Sequence, residues 1–262
     1  MGLVELRDYG DWAKVVLNRP EKRNALSPAL VSELSRVIQQ IARQDAVQVV
    51  VFAGRGKVFS AGADLAYLQK LSQFSDAENE QDVAALNALF EQIYQLPQIT
   101  VAEVQGAALA GGCGLVTLMD FVFAAADAQF GYTEARIGFV PALVANYLIR
   151  KVSGGVAADL LLSARMISAQ EAQQVGLVNY VVPPDQLTDE VAQFVERLLE
   201  QNSATAMRFT KKLLHQVLEL PLQQGLQVAA AMNVAARKTP DCQKGVAAFL
   251  NKKRIQWRHS SD

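Results

Sequence analysis

Between Leu109 and Leu118 the chain reads LAGGCGLVTL, with glycines at 111, 112 and 114 and another upstream at Gly106. No charged residue, histidine or serine lies between Gly106 and Gly114, so any chemistry here belongs to the main chain. Glycine permits close backbone approach and unusual φ, and the first turn of a helix leaves its amide N–H groups unpaired. Aimed at a developing negative charge, such groups make an oxyanion hole. Small residues also let a helix pack tightly on a strand, and this segment alone leaves both readings open. A dinucleotide fingerprint needs G-x-G-x-x-G after the first strand, and a Walker loop needs Gly-Lys-Ser/Thr; neither is present. A second small-residue turn, VFSAGADL (58–65), leads from an apolar strand into a helix. Two donors converging on one oxygen require two such turns.

Glu134 lies in the apolar, motif-rich stretch AQFGYTEARIGFVPA (128–142), which argues against an ordinary surface glutamate. Partial burial would raise its pKa toward the range where it exchanges protons. Glu103, inside the apolar strand ITVAEV, is expected to meet a cation, because a lone buried charge is costly. A role for it as a second catalytic carboxylate is the lesser alternative. Asp120 is expected to cap structure, and Cys113 to pack, since no base neighbours it. His215 and His259 are the only histidines, and no G-x-S-x-G elbow is present.

The chain has 262 residues, 51% hydrophobic and 19% charged, enough for a sizeable core and too apolar for a disordered chain. A net charge of −1 provides no field to recruit nucleic acid or an acidic membrane. Two distant cysteines suggest a reducing compartment and neither a disulfide framework nor a zinc cluster. MGLVELRDYGDW has no signal-peptide or transit pattern, and no run of 18 apolar residues occurs, so a cytoplasmic location is expected.

Strands are expected at VELR, KVVLN, VQVVVFAG, ITVAEV, FVFAAA and LVNYVV, and another at FGYTEA. Ser27-Pro28 opens a helix whose Leu30, Leu34, Val37, Ile38 and Ile41 form one stripe. LSQFSDAENEQD (71–82) reads as a mobile surface loop. Helices dominate from about Ala142 onward, so the chain is an α/β core, 1–200, with a helical C-terminal region, 201–262, forming one functional unit.

Six ordered segments, LNRPEKRNALS, VFSAGADL, VQGAALAGGCGL, AQFGYTEARIGFVPA, MISAQEAQQVGLVNYVV and GVAAFLNKKR, resemble the crotonase (enoyl-CoA hydratase/isomerase) superfamily over nearly the whole chain. The resemblance implies a spiral of ββα units and a helical C-terminal trimerisation region, in a homotrimer or a dimer of trimers. The substrate implied is an acyl-CoA thioester, with CoA as part of the substrate and no metal or redox cofactor. It implies that the N–H groups of Ala63 and Gly111 grip the thioester oxygen and that Glu134 moves the proton. By the same likeness Lys22, Arg23, Ala61, Asp64, Leu65, Gly114, Phe249 and Lys252 would contact substrate or CoA.

One departure matters. Hydratases of this superfamily carry two glutamates, and here the first position is Gly114. One carboxylate can add water, and one can also shift a double bond, so hydratase and isomerase both remain open. Gly114 together with E-x-R-I-G-F-V-P-A, and no GGTQ segment, is similar to bacterial methylglutaconyl-CoA hydratases of leucine breakdown. That favours a hydratase for a short, branched or carboxylated enoyl-CoA, with Gly114 making room. A non-catalytic thioester-binding subunit and an acyl-CoA decarboxylase are the further alternatives. ALVANYLIR (142–150) is expected to shape the acyl pocket, with Asn146 and Tyr147 as its polar groups.

Overall fold

The computed structural model describes residues 2–258, without the side chain of Leu65. His259 lies outside the described residues. β1 (Val4–Asp8) and β2 (Trp12–Leu17) form a hairpin with Leu6 opposite Val15. Ser27 then accepts a hydrogen bond from the Leu30 N–H and Pro28 takes the first helical position of α1 (Pro28–Ala42). All five stripe residues of α1 are buried. Next come β3 (Val49–Gly54), β4 (Val58–Ser60), α2 (Leu65–Leu71), α3 (Asp76–Tyr94) and β5 (Ile99–Val104). β6 (Ala107–Leu109), α4 (Gly111–Thr117), β7 (Phe121–Ala125) and β8 (Gln129–Gly131) complete the alternating part.

The remainder is mostly helical: α5 (Ala142–Lys151), α6 (Gly154–Ser163), β9 (Ile167–Ser168), α7 (Ala169–Gln174), β10 (Tyr180–Val182) and α8 (Leu187–Gln201). α9 (Ala204–Val217), α10 (Leu222–Arg237) and α11 (Pro240–Leu250) close the chain. A six-stranded sheet runs β1-β2-β3-β5-β7-β10 and a smaller one β4-β6-β8-β9. β5 is buried along its whole length, as a strand covered on both faces must be. In the small sheet β4, β6 and β8 are parallel, so their C-terminal ends, Ser60, Leu109 and Gly131, lie abreast.

Two expected elements differ. The 71–82 loop is helical from Asp76, because Ser75 and Glu78 form a reciprocal capping box that satisfies the first-turn amides. The strand expected through FGYTEA stops at Gly131, and Glu134 opens a 3-10 turn, Glu134–Ile137. The chain groups into two compact units. One compact unit is Met1–Leu96 with Thr100–Val191, and the other is Pro97–Ile99 with Ala192–Asp262. The first turn of α8 belongs to the first unit, where the Thr188 hydroxyl donates to Glu103 (2.9 Å). In the second unit the buried Lys211 ammonium donates to the Gln98 carbonyl (2.9 Å), and Leu222, Phe249 and Leu250 are exposed.

Glu103 meets its cation as expected. The Lys14 Nζ on β2 donates to Glu103 Oε2 on β5 at 2.6 Å, across the intervening β3. Both side chains are buried, so removing one partner strands the other's charge. Lys14→Met should lower unfolding stability by about 3–5 kcal/mol, read from urea denaturation. Lys14→Met with Glu103→Leu should recover most of that loss; a double variant no better than the single would contradict this account.

Candidate active site

Each site residue follows the end of one of the three parallel strands by two or three positions. β4 exits through Ala61-Gly62-Ala63, where the Ala61 N–H donates to the Arg23 carbonyl (3.0 Å). Leu26 then brackets Ala63: its N–H donates to Gly62 O (2.7 Å) and its carbonyl accepts from Asp64 N–H (3.3 Å). This bridge turns the N–H of Ala63 to the other side. β6 exits through Ala110, whose φ of 48° and ψ of −126° are strained for a residue with a side chain. Its N–H donates to Gly131 O at 2.7 Å. Gly111 then starts α4.

The two exits press on one another. Gly62 has φ +81°, and a Cβ on it would lie 2.8 Å from both the Ala110 Cβ and the Leu109 oxygen. A Cβ on Gly112 would lie 2.5 Å from the Ser60 oxygen. Neither the Ala63 nor the Gly111 N–H has an acceptor among the described residues. Both residues line a cavity of about 950 Å³, and Glu134 lines it too. Its wall is mainly apolar, with Leu68, Leu71, Leu86, Ile137, Phe139 and Val140 among the lining side chains.

Glu134 is half-buried, and its Oε2 is shielded from solvent with no hydrogen-bond partner. Desolvation raises its pKa above the usual carboxylate value, partly offset by its own backbone N–H. Tyr132, two residues earlier, is fully buried, with its hydroxyl 2.6 Å from Thr117 Oγ1, which donates to the Cys113 carbonyl. Burial pushes the Cys113 thiol up to about 12, so it packs and is no nucleophile at neutral pH. Asp120 caps as expected, accepting from the Thr100 N–H and hydroxyl. No cluster of three metal-ligating side chains occurs among the described residues.

Several expected contacts lie elsewhere. Gly114 is buried and does not line the cavity; a Cβ on it would lie 2.8 Å from Val144 Cγ2 and 3.0 Å from Phe90 Cε2. The room expected there is already filled by those two side chains. Asp64 is structural: it caps α2 through the Ala66 and Tyr67 amides, and the Arg19 guanidinium 2.5 Å away holds its carboxyl below the usual range. Ala61 lines the cavity. Lys22 and Arg23 are exposed on the turn before α1 and do not line it, Leu65 opens α2, and Phe249 and Lys252 belong to the second unit. The first turn of α5, Ala142 to Val144, does shape the pocket. Asn146 and Tyr147 do not: Asn146 donates to the Ala142 carbonyl, and Tyr147 packs on Tyr94.

Two features of the wall were not expected. Tyr67 donates to Asp82 Oδ1 (2.7 Å), joining α2 to α3, and Arg36 lines the cavity from α1. The capping box at Ser75 would have put Asp82 on a helix. Nothing in the local pattern signals Arg36, since it lies on the polar face of an amphipathic helix. Because Gly114 has no free space, Gly114→Ala should cost about 1–3 kcal/mol of stability, measured by thermal or urea unfolding. A neutral effect would mean that the Val144 and Phe90 side chains give way.

A family model described as enoyl-CoA hydratase/isomerase matches residues 9–260. A putative enoyl-CoA hydratase of Thermus thermophilus is 41% identical over 246 residues, 94% of this chain and 97% of the relative. The 2,3-dehydroadipyl-CoA hydratase of Escherichia coli is 36% identical over 91% of this chain and 92% of its own length. The crystal structure of an enoyl-CoA hydratase of Mycobacterium smegmatis superposes with a TM-score of 0.93 at 31% identity, covering 98% of this chain and 99% of that one. The fold is the crotonase fold with a helical C-terminal region. With its model spanning nearly the whole sequence, the chain belongs to the enoyl-CoA hydratase/isomerase family.

Proposed function

We propose that this protein is a hydratase that adds water across the α,β double bond of a short enoyl-CoA, branched or carboxylated, with 3-methylglutaconyl-CoA as the leading substrate. The observation that carries the reading is the pairing, in one cavity, of two unengaged amides with a buried carboxylate oxygen that has no partner. The amides of Ala63 and Gly111 hold the thioester oxygen and favour the enolate over the ground state. Glu134 takes a proton from water as its oxygen bonds to Cβ, and the double-bond electrons move onto the thioester oxygen. The same carboxyl then returns the proton to Cα, the carbonyl re-forms, and Glu134 ends as it began. The name of the Escherichia coli relative, 2,3-dehydroadipyl-CoA hydratase, is that of an enzyme for a carboxylated enoyl thioester.

Lys22, Arg23, Phe249 and Lys252 are proposed to hold CoA, and self-association into trimers is supported by the exposed Leu222, Phe249 and Leu250. No described helix is long and apolar enough to cross a membrane; a cytoplasmic location is part of this reading. A second reading, movement of a double bond between Cβ–Cγ and Cα–Cβ, is favoured by one observation: the Gly114 position has neither a carboxylate nor space for one.

Mass spectrometry of products from 3-methylglutaconyl-CoA, crotonyl-CoA and 3-hexenoyl-CoA separates the readings. Gain of one water on the methylglutaconyl thioester, with poor crotonyl turnover, is expected. A shifted double bond in the hexenoyl product without hydration of the others would give the isomerase. Glu134→Gln should lower kcat roughly 10²- to 10⁴-fold. The working base is deprotonated and its pKa is raised by burial. Activity should therefore fall with decreasing pH along a limb centred above the ordinary carboxylate pKa, and Glu134→Gln should abolish that limb.

A further inference from the structure

Four charged side chains line the cavity: Arg36, Asp82, Glu134 and Arg136. Glu134 faces the reacting atoms in the mechanism above, and Asp82 already accepts from Tyr67. Neither guanidinium is paired with a carboxylate among the described residues. They differ in setting. Arg136 sits in the exposed run Ala135–Val140, among the apolar lining residues Ile137, Phe139 and Val140. Arg36 is exposed as well, but on the polar face of α1, where Ser35 beside it and Ser32 and Gln39 about one turn to either side line the same cavity. Ser35 and Gln39 are already joined there, the Gln39 amide donating to Ser35 Oγ and Ser35 Oγ to Gln92 Oε1 (2.7 Å).

The position of Arg36 along α1 sets what it can reach. The start of α1 is at the two donor amides, because Leu26 bridges Ala63 and its Cδ1 would lie 3.2 Å from a Cβ on Gly111. Arg36 is nine residues beyond the cap Ser27, about 13 Å down the axis at 1.5 Å per residue. Helical side chains lean toward the N-terminus, and an arginine is about 6 Å long when extended, so along that axis the guanidinium can reach no nearer than about 7 Å from the donors. A thioester carbonyl held at the donors carries a carboxylate four C–C bonds away at about 5 Å. One charge-assisted hydrogen bond of about 2.8 Å spans the rest.

We infer that Arg36 is a specificity-determining residue that recognises a carboxylate carried by the acyl group, selecting thioesters of short dicarboxylic acids over neutral acyl groups of similar length. The guanidinium suits this task because it stays charged and presents a planar fork that matches a carboxylate. This inference rests on the acyl-CoA reading of the cavity and adds to it the residue that sorts its substrates.

Binding of glutaryl-CoA and butyryl-CoA, measured by isothermal titration calorimetry, tests it. The two differ by the terminal carboxylate, and both are saturated, so the readout does not depend on turnover and stands even if the hydratase reading fails. Arg36→Ala should weaken glutaryl-CoA at least tenfold while shifting butyryl-CoA less than twofold. Arg36→Lys should retain part of the preference, as a point charge without the fork. Equal weakening of both ligands would overturn the inference and assign Arg36 to the CoA phosphates. An unchanged ratio, or loss of the preference in Arg136→Ala in place of Arg36→Ala, would overturn it as well.

Discussion

Everything at this site depends on three parallel strand ends lying side by side. Neighbouring strands are about 4.8 Å apart, so main chain leaving β4, β6 and β8 abreast delivers Ala63, Gly111 and Glu134 to one cavity without a long loop. The contact that fixes their spacing is Gly62 against the Leu109 oxygen and the Ala110 methyl. No side chain fits there, and the left-handed φ of Gly62 disfavours one in any case. The strain at Ala110 is held from the third strand, through its N–H bond to Gly131 O. The exit that bears the free Gly111 amide is thereby tied to the strand that leads to Glu134.

The loop ahead of α1 supplies the other half of the frame. Asn24 is buried with φ +52°; its Oδ1 accepts from the Arg19 N–H, and its Nδ2 donates to the Arg55 and Val58 carbonyls. Its own carbonyl accepts from Ser60 Oγ at the end of β4. That residue ties the loop to β4, which lets Leu26 bracket Ala63 and turn one free amide toward the cavity. The Arg19–Asp64 pair closes the same loop onto the start of α2. Charge is used here to hold backbone, and the backbone then carries the chemistry.

The reading of the sequence went furthest where one residue type has few uses. Dense glycines at two strand exits, Ser-Pro at the head of α1 and a glutamate inside an apolar strand each allow few structures, and each appears in the fold as expected. Reading failed where the partner comes from a distant segment. Gly114 looked like space in its local context; only the packing of α3 and α5 shows that Phe90 and Val144 occupy it. Asp64 looked like a ligand in its motif, yet Arg19 claims it from forty-five positions upstream. The 71–82 segment is polar on most positions, so hydrophobic period gave no signal and only its cap did.

Filling the Gly114 position also simplifies the electrostatics around Glu134. Two carboxylates sharing a site would repel one another, and their protons would leave in coupled steps that belong to neither alone. Here the raised proton affinity of Glu134 comes from desolvation, with no second carboxylate among its causes. A carboxyl whose proton affinity is raised by desolvation alone is easier to deprotonate than one facing a charged twin, which suits the proton-transfer role proposed for Glu134. The apolar wall that raises the affinity also excludes competing hydrogen-bond partners from Oε2. One half-buried carboxylate beside two free amides is the apparatus that the proposed proton transfers require, and in that reading the choice of acyl group passes to the walls of the cavity.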